Sequence, residues 1–285
     1  MWLALGLTSG FFHALMGMVS KKALKDTHHY VAAFAYAAFS LPFVLIALIW
    51  LDFNPLNSTF WWAAGGSSIL NIIALVLYMK ALRIGELSLT VPFLAFTPIF
   101  LIFTSEIMVG EVPTLLGIMG IILIVIGVYF LEMKRGTGIL GPFKALARNK
   151  GGLLVLVVAF IYSITSNLDK IAIQNSNPIT RIIVVQTLMG IMFLLLVHFK
   201  TNRGLIEIKD KFKYLWPIGL LVALTLMTQM TALTISIVPY VISLKRTSAL
   251  FSIVLGFIAF KERNVKPKLI GAASMVAGVF LISLS

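Results

Sequence analysis

The sequence predicts an all-α integral membrane protein of ten transmembrane helices, arranged as two five-helix halves of inverted topology around a central cavity. Three observations carry that prediction: an extreme composition, ten apolar runs of membrane-crossing length, and a self-similarity at a shift of 151 residues. Of 285 residues, 60% are hydrophobic and only 12% charged, with a mean hydropathy of +1.02, far from the balance of a soluble domain. A hydrocarbon layer of about 30 Å takes roughly 20 helical residues. The runs are too long and too uniformly apolar for barrel strands, and backbone groups find no water in the bilayer core, so helices are the expected form.

The spans, taken in order, are 2–20, 29–51, 60–83, 88–108, 113–132, 151–172, 178–198, 214–236, 240–260 and 266–284. Span 1 opens at Met1-Trp2 with no basic n-region and no small-residue cleavage site after it, so it is expected to be a retained helix. It carries His13, the one mid-span group that titrates near neutral pH. Span 2 holds Tyr36 and Pro42, and span 3 holds Asn71 and Tyr78. In span 4, Pro92 and Pro98 are hinge candidates, because proline removes a helical hydrogen bond, and Glu106 lies near the end. Span 5 carries Gly117, Gly120 and Gly127, suited to close helix packing. Span 6 holds Tyr162, Asn167 and Asp169, and span 8 holds Gln229. Span 9 contains Lys245 and Arg246 side by side, and span 10 again carries small residues, Gly271, Ala273, Ser274, Ala277 and Gly278.

A net charge of +13 suggests nucleic acid at first sight, but the cations are sorted by side of the membrane instead. Nineteen of the 23 lie on the connections after spans 1, 3, 5, 7 and 9, and only Lys170 and Arg181 on the opposite side. By the positive-inside rule the nineteen face the cytoplasm and both termini face outward, as expected of a multi-pass protein of the plasma (inner) membrane. With no cysteine there is no disulfide, thiolate metal site or cysteine nucleophile, and the histidines lack metal-ligand spacing. No Walker sequence is present, and no cofactor is expected. A membrane-embedded transferase would need clustered acids, histidines or a metal site, and none is legible.

Shifted by 151 positions, residues 81–131 align with 232–282 without a gap, and eleven of the 51 pairs are identical. These include Glu111 with Glu262, Gly120 with Gly271, and Gly127 with Gly278. A shift of 149 aligns His13 with Tyr162. The predicted halves are residues 1–132 and 151–285, joined by a cytoplasmic linker, 133–150. Five helices per half is an odd number, so the second half must enter the membrane upside down, an arrangement common among secondary transporters that work by alternating access.

Ten helices in two such halves, each half with an acidic residue (Gly110-Glu111, Lys261-Glu262) before a glycine-bearing last helix, resemble the EamA-type branch of the drug/metabolite transporter superfamily. The resemblance implies that helices 1–4 and 6–9 surround the cavity, that helices 5 and 10 are peripheral, and that helices 4 and 9 flex as gates. It puts His13 and Tyr162 on the cavity wall, with Tyr36, Asn71, Tyr78, Asn167 and Gln229 as further candidate substrate contacts.

Lys245 lies six residues past Pro239, about 9 Å into its helix. Charges inside a membrane need compensation. Snorkelling serves one of two adjacent cations better than both, because neighbouring helical residues point roughly 100° apart. Pairing with Glu106 or Asp169, as a gate, is a second reading. The third is an anion site, in which lysine supplies a point charge and arginine a planar fork. The pair is similar to the phosphate-gripping element of triose-phosphate translocators. Those relatives also use a lysine on helix 4, where this chain has Leu94 and Ala95, which directs the reading toward a singly charged organic anion or a zwitterion. The sequence thus predicts a secondary transporter rather than an enzyme, whose partners are a small-molecule substrate and the lipid bilayer. The alternatives are a multispecific amino-acid or drug exporter and a flippase for a phosphate-bearing lipid carrier.

Overall fold

The computed structural model describes residues 1–23, 27–50, 55–84, 91–132, 150–260 and 268–285. Glu262, Arg263 and the linker residues 133–149 lie outside them. Among the described residues there are helices and turns but no strand. The helices are α1 (Trp2–Ala23), α2 (His29–Ala38), α3 (Leu41–Leu45), α4 (Ser58–Ile84), α5 (Thr97–Val109), α6 (Leu115–Glu132), α7 (Lys150–Gln174), α8 (Pro178–Lys200), α9 (Gly204–Asp210), α10 (Phe212–Ile235), α11 (Val238–Lys245), α12 (Ser248–Phe260) and α13 (Leu269–Ser283). Two 3₁₀ segments, Ile46–Trp50 and Val91–Phe96, follow α3 and precede α5.

Seven helical stretches are long and apolar enough to cross a membrane: Trp2–Ser20, His29–Ile49, Ser58–Ala81, Lys150–Gln174, Pro178–Lys200, Phe212–Ile235 and Val238–Gly256. Three shorter apolar helical stretches, Phe93–Val109, Leu115–Leu131 and Leu269–Ser283, fall on the remaining predicted spans. The fold is a ten-span helical membrane bundle. The sequence predicts spans 2, 4 and 9 as single helices, and the structure interrupts each of them. In spans 2 and 4 the cause is proline, since Pro42 and Pro98 each sit in the first turn of the restarted helix, where a missing N–H costs nothing. Pro92 falls within the 3₁₀ segment ahead of that restart. The short α9, in a stretch read as plain connection, is a further addition.

The chain forms two compact units. The first comprises residues 1–69 and 168–235. Its main pairings are α1 with α10 and α8 with α2. Small residues allow the close approaches: Gly190 faces Ala38, and a Cβ at Gly219 would lie 2.3 Å from the Phe39 carbonyl oxygen. Where Pro42 ends the regular helix, Gln186 donates to Ser40 Oγ (2.9 Å) and to the Tyr36 carbonyl (3.3 Å), so a neighbouring helix satisfies the interrupted backbone.

The second unit comprises residues 70–167 and 236–285. Its largest pairing, α6 against α13, runs on glycines. A Cβ at Gly120 would meet the Gly278 carbonyl oxygen at 2.7 Å, and one at Gly127 would meet the Gly271 oxygen at 2.6 Å. Gly120 and Gly271 are partners under the 151 shift, as are Gly127 and Gly278, so each contact is the mirror of the other. Ile124 on Gly278 and Met275 on Gly127 repeat the pattern. Ser274, the partner of Leu123 under the shift, donates to the Leu123 carbonyl at 2.8 Å in the middle of the crossing. Contacts in which i meets j′ and j meets i′ are those of a local twofold relation between two helices. α5 ends at Gly110, whose φ of 73° is the left-handed conformation that glycine adopts without a Cβ penalty.

Candidate functional site

Lys245 and Arg246 stand where the ninth span breaks. α11 ends at Lys245 and α12 begins at Ser248. The join is a tight turn of i→i−3 bonds, from Arg246 N–H to Ser243 O (3.0 Å), Thr247 N–H to Leu244 O (3.0 Å) and Ala249 N–H to Arg246 O (3.1 Å). No proline causes this break. The Thr247 hydroxyl donates back to the Leu244 carbonyl at 2.6 Å, a local bond that competes with regular helix. Lys245 lies in the last turn of α11, where the carbonyl end of the helix favours a cation.

The break in span 4 falls at the corresponding place. α5 begins at Thr97, 151 residues before the start of α12, and Thr97 Oγ1 donates to the Leu94 carbonyl (2.9 Å) as Thr247 does to Leu244. The two breaks are joined directly: Arg246 Nη2 donates to Thr97 Oγ1 at 2.8 Å. Both cations are half-buried, and Thr97 is buried. A mid-span 3₁₀ stretch marks a place where a helix bends readily, and here two such places share one hydrogen bond.

The other end of α11 is fastened. Glu111 accepts the Val238 N–H at 2.7 Å, placing a carboxylate at a helix N-terminus. Tyr240 OH accepts the Thr114 N–H at 3.0 Å and lies over Gly117, where a Cβ would come within 2.0 Å of it. Sequence reasoning found Glu111 only as a repeat landmark. Its capping role depends on a contact 127 residues away.

Several predicted contacts are placed differently from expectation. Asn167 is buried and its amide is engaged: Ser105 Oγ donates to Oδ1 (2.7 Å), and Nδ2 donates to Thr104 Oγ1 (3.0 Å) and the Ser163 carbonyl (3.1 Å). In this structure it ties α5 to α7. Asn167→Ala is expected to lower unfolding stability by about 1–2 kcal/mol, read as a shift in the denaturation midpoint in detergent, because it strands the buried Ser105 hydroxyl. Asp169 was a gate candidate for the span 9 cations, but its carboxylate is taken by Arg181 and by Ser67 Oγ, the latter at 2.6 Å. Arg181 and Lys170, read as outer-side topology charges, are both buried, and Lys170 Nζ donates to the Leu233 carbonyl at 2.5 Å. The available sequence signal was a pair of opposite charges, Asp169 and Arg181, flanking the short turn between two spans. Glu106, the other gate candidate, is exposed and makes no ion pair among the described residues.

The remaining candidates divide between the units. His13 and Tyr36, half-buried, and Gln229, buried, belong to the first, while Asn71, Tyr78 and Tyr162, half-buried, belong to the second with Lys245 and Arg246. Among the described residues no group of three or more His, Asp or Glu is gathered to hold a metal ion.

A many-span helical bundle with two interrupted helices meeting at a cation is an arrangement found in membrane transporters. The EamA-like transporter family model matches residues 1–133 and 149–284, and the chain belongs to that family. It is therefore a multi-pass membrane transporter of the drug/metabolite kind. One solved crystal structure of a protein 14% identical to this chain, covering 99% of it and 96% of that protein's own chain, superposes with a TM-score of 0.78, a likeness of fold alone. No curated protein matches the chain.

Proposed function

We propose that the chain is a secondary transporter that works by alternating access and draws a small organic anion, or the anionic end of a zwitterion, to Lys245 and Arg246. The observation that carries the reading is the position of these cations at the break in span 9, with Arg246 bonded to Thr97 at the corresponding break in span 4. A charge at a joint is well placed to couple ligand binding to helix bending, because a ligand that changes the Arg246–Thr97 bond changes the contact between both bends. The reciprocal α6–α13 contacts and the paired breaks support two inverted halves, residues 1–132 and 151–285. The charge bias supports an orientation with both termini outside, as in a protein of the inner membrane. In this reading Asn71, Tyr78 and Tyr162, of the same unit as Lys245 and Arg246, supply polar and aromatic contacts to the ligand, and Pro92 and Pro98 mark the hinge of span 4.

The test is a thermal-stability screen of purified protein against phosphorylated, carboxylated and zwitterionic metabolites. A stabilising anion or zwitterion is expected, and its shift should vanish in Lys245→Ala/Arg246→Ala while the unliganded midpoint of that variant stays within a few degrees. A shift retained in full would transfer the ligand to a multispecific, aromatic-lined site and overturn the anion reading.

A further inference from the structure

We infer that α9 and the span ends on either side of it form a binding surface for anionic phospholipid headgroups. α8 ends in Phe199-Lys200, a turn of three residues follows, and α9 is separated from α10 by Lys211 alone. The turn is tight for a local reason. Thr201 Oγ1 donates to the Val197 carbonyl (2.6 Å) and accepts the Gly204 N–H (3.0 Å), and a Cβ at Gly204 would lie 2.1 Å from that same oxygen. α9 is thus held hard against the end of α8.

Its inner face is fixed by charge. Glu207 Oε1 accepts the backbone N–H of His28 at 2.8 Å and lies 3.4 Å from Lys211 Nζ, which also donates to Thr27 Oγ1 at 3.1 Å. Gly204, Glu207, Ile208 and Lys211 are the buried or half-buried positions, at the i, i+3, i+4, i+7 spacing of one helix face. The opposite face is open and mixed. Leu205 and Ile206 are 49% and 52% exposed beside exposed Lys209 and Asp210. Phe199 is 74% exposed at the end of α8, and Phe212, Tyr214 and Trp216 are exposed at the start of α10.

Aromatic side chains at span ends mark the boundary between hydrocarbon and water, so a helix tied to both ends lies at that level. There Leu205 and Ile206 reach the upper acyl chains, while exposed Lys200, Arg203, Lys209 and Lys213 stand among the headgroups. Glu207 is engaged inward, which among the described residues leaves Asp210 as the single outward acid against four cations on this surface. Such a surface prefers anionic to zwitterionic lipid, and each cation removed should weaken binding about fivefold. The inference rests on membrane insertion alone and stands whatever the transported substrate.

The experiment titrates the purified full-length protein in neutral detergent with phosphatidylglycerol, with phosphatidylcholine or with inorganic phosphate, and follows thermal stability and, by native mass spectrometry, the number of lipids retained. Phosphatidylglycerol is expected to stabilise and to be retained, whereas phosphatidylcholine and inorganic phosphate are not. The variant K200Q/R203Q/K209Q/K213Q should lose the preference. Removing four charges from the central connection, K134Q/R135Q/K144Q/R148Q, should preserve it. A third variant, L205S/I206S, keeps the charge and should weaken retention of phosphatidylglycerol. Equal loss in the two charge variants, no loss in the first, or equal stabilisation by inorganic phosphate would each overturn the assignment.

Discussion

Arg181→Met is expected to lower the unfolding free energy by about 3–5 kcal/mol, because it leaves the Asp169 carboxylate buried without its counter-ion. The pair is deep: Arg181 is 3% and Asp169 6% exposed, and the remaining bond to the carboxylate comes from the Ser67 hydroxyl. Arg181 Nε is buried with no hydrogen-bond partner, so the guanidinium is itself incompletely compensated. For that reason the double variant Arg181→Met/Asp169→Leu should recover most or all of the loss, since apolar replacements of a buried pair are often neutral or stabilising. Denaturation midpoints of the two single variants and the double variant, in one detergent, check the prediction as a double-mutant cycle. Equal stability of Arg181→Met and the parent would mean that the ion pair does not hold α7 to α8.

The second large effect is steric. Gly127→Leu should destabilise by about 3 kcal/mol, the upper end of overpacking, because a Cβ there already lies 2.2 Å from Met275 Cγ and 2.6 Å from the Gly271 carbonyl oxygen. A flexible methionine can yield, but a helix backbone can do so only if α6 and α13 part along the whole crossing. Their approach rests on small residues and close contacts, since lipid offers apolar side chains the same solvation as protein. The reciprocal geometry adds a sharper expectation: Gly278→Leu, the repeat partner, should cost about as much, and combining the two should cost less than the sum, because both open one seam. Gly65→Leu is the control, as a Cβ at Gly65 meets nothing within 4 Å. Thermal midpoints by circular dichroism separate the cases, and a Gly127→Leu midpoint equal to that of the control would refute the seam.

Within the polar candidates, the residues that read as chemistry and those that act as structure differ in one respect. Asn167 and Asp169 are buried and tie one helix to another, whereas Lys245 and Arg246, half-buried, sit at a discontinuity of the backbone. Periodicity and composition made Lys245 and Arg246 visible as charges out of place. They gave no sign that the helix stops beside them, because neither proline nor glycine occurs there; at the break Thr247 returns its hydroxyl to the Leu244 carbonyl.

What the sequence determined by itself is what depends on transfer from water to lipid and on charge at the interface. Ten spans, their helical form and the doubled pattern of glycines follow from local composition, which the bilayer reads residue by residue. The tertiary structure decided which carboxylate meets which cation, which glycines face each other, and where spans 2, 4 and 9 stop and restart. The glycine seam and the fastenings of α11 turn on contacts of a few ångströms between residues more than a hundred positions apart, such as Arg246 with Thr97 and Glu111 with Val238, and a linear pattern contains no term for such distances.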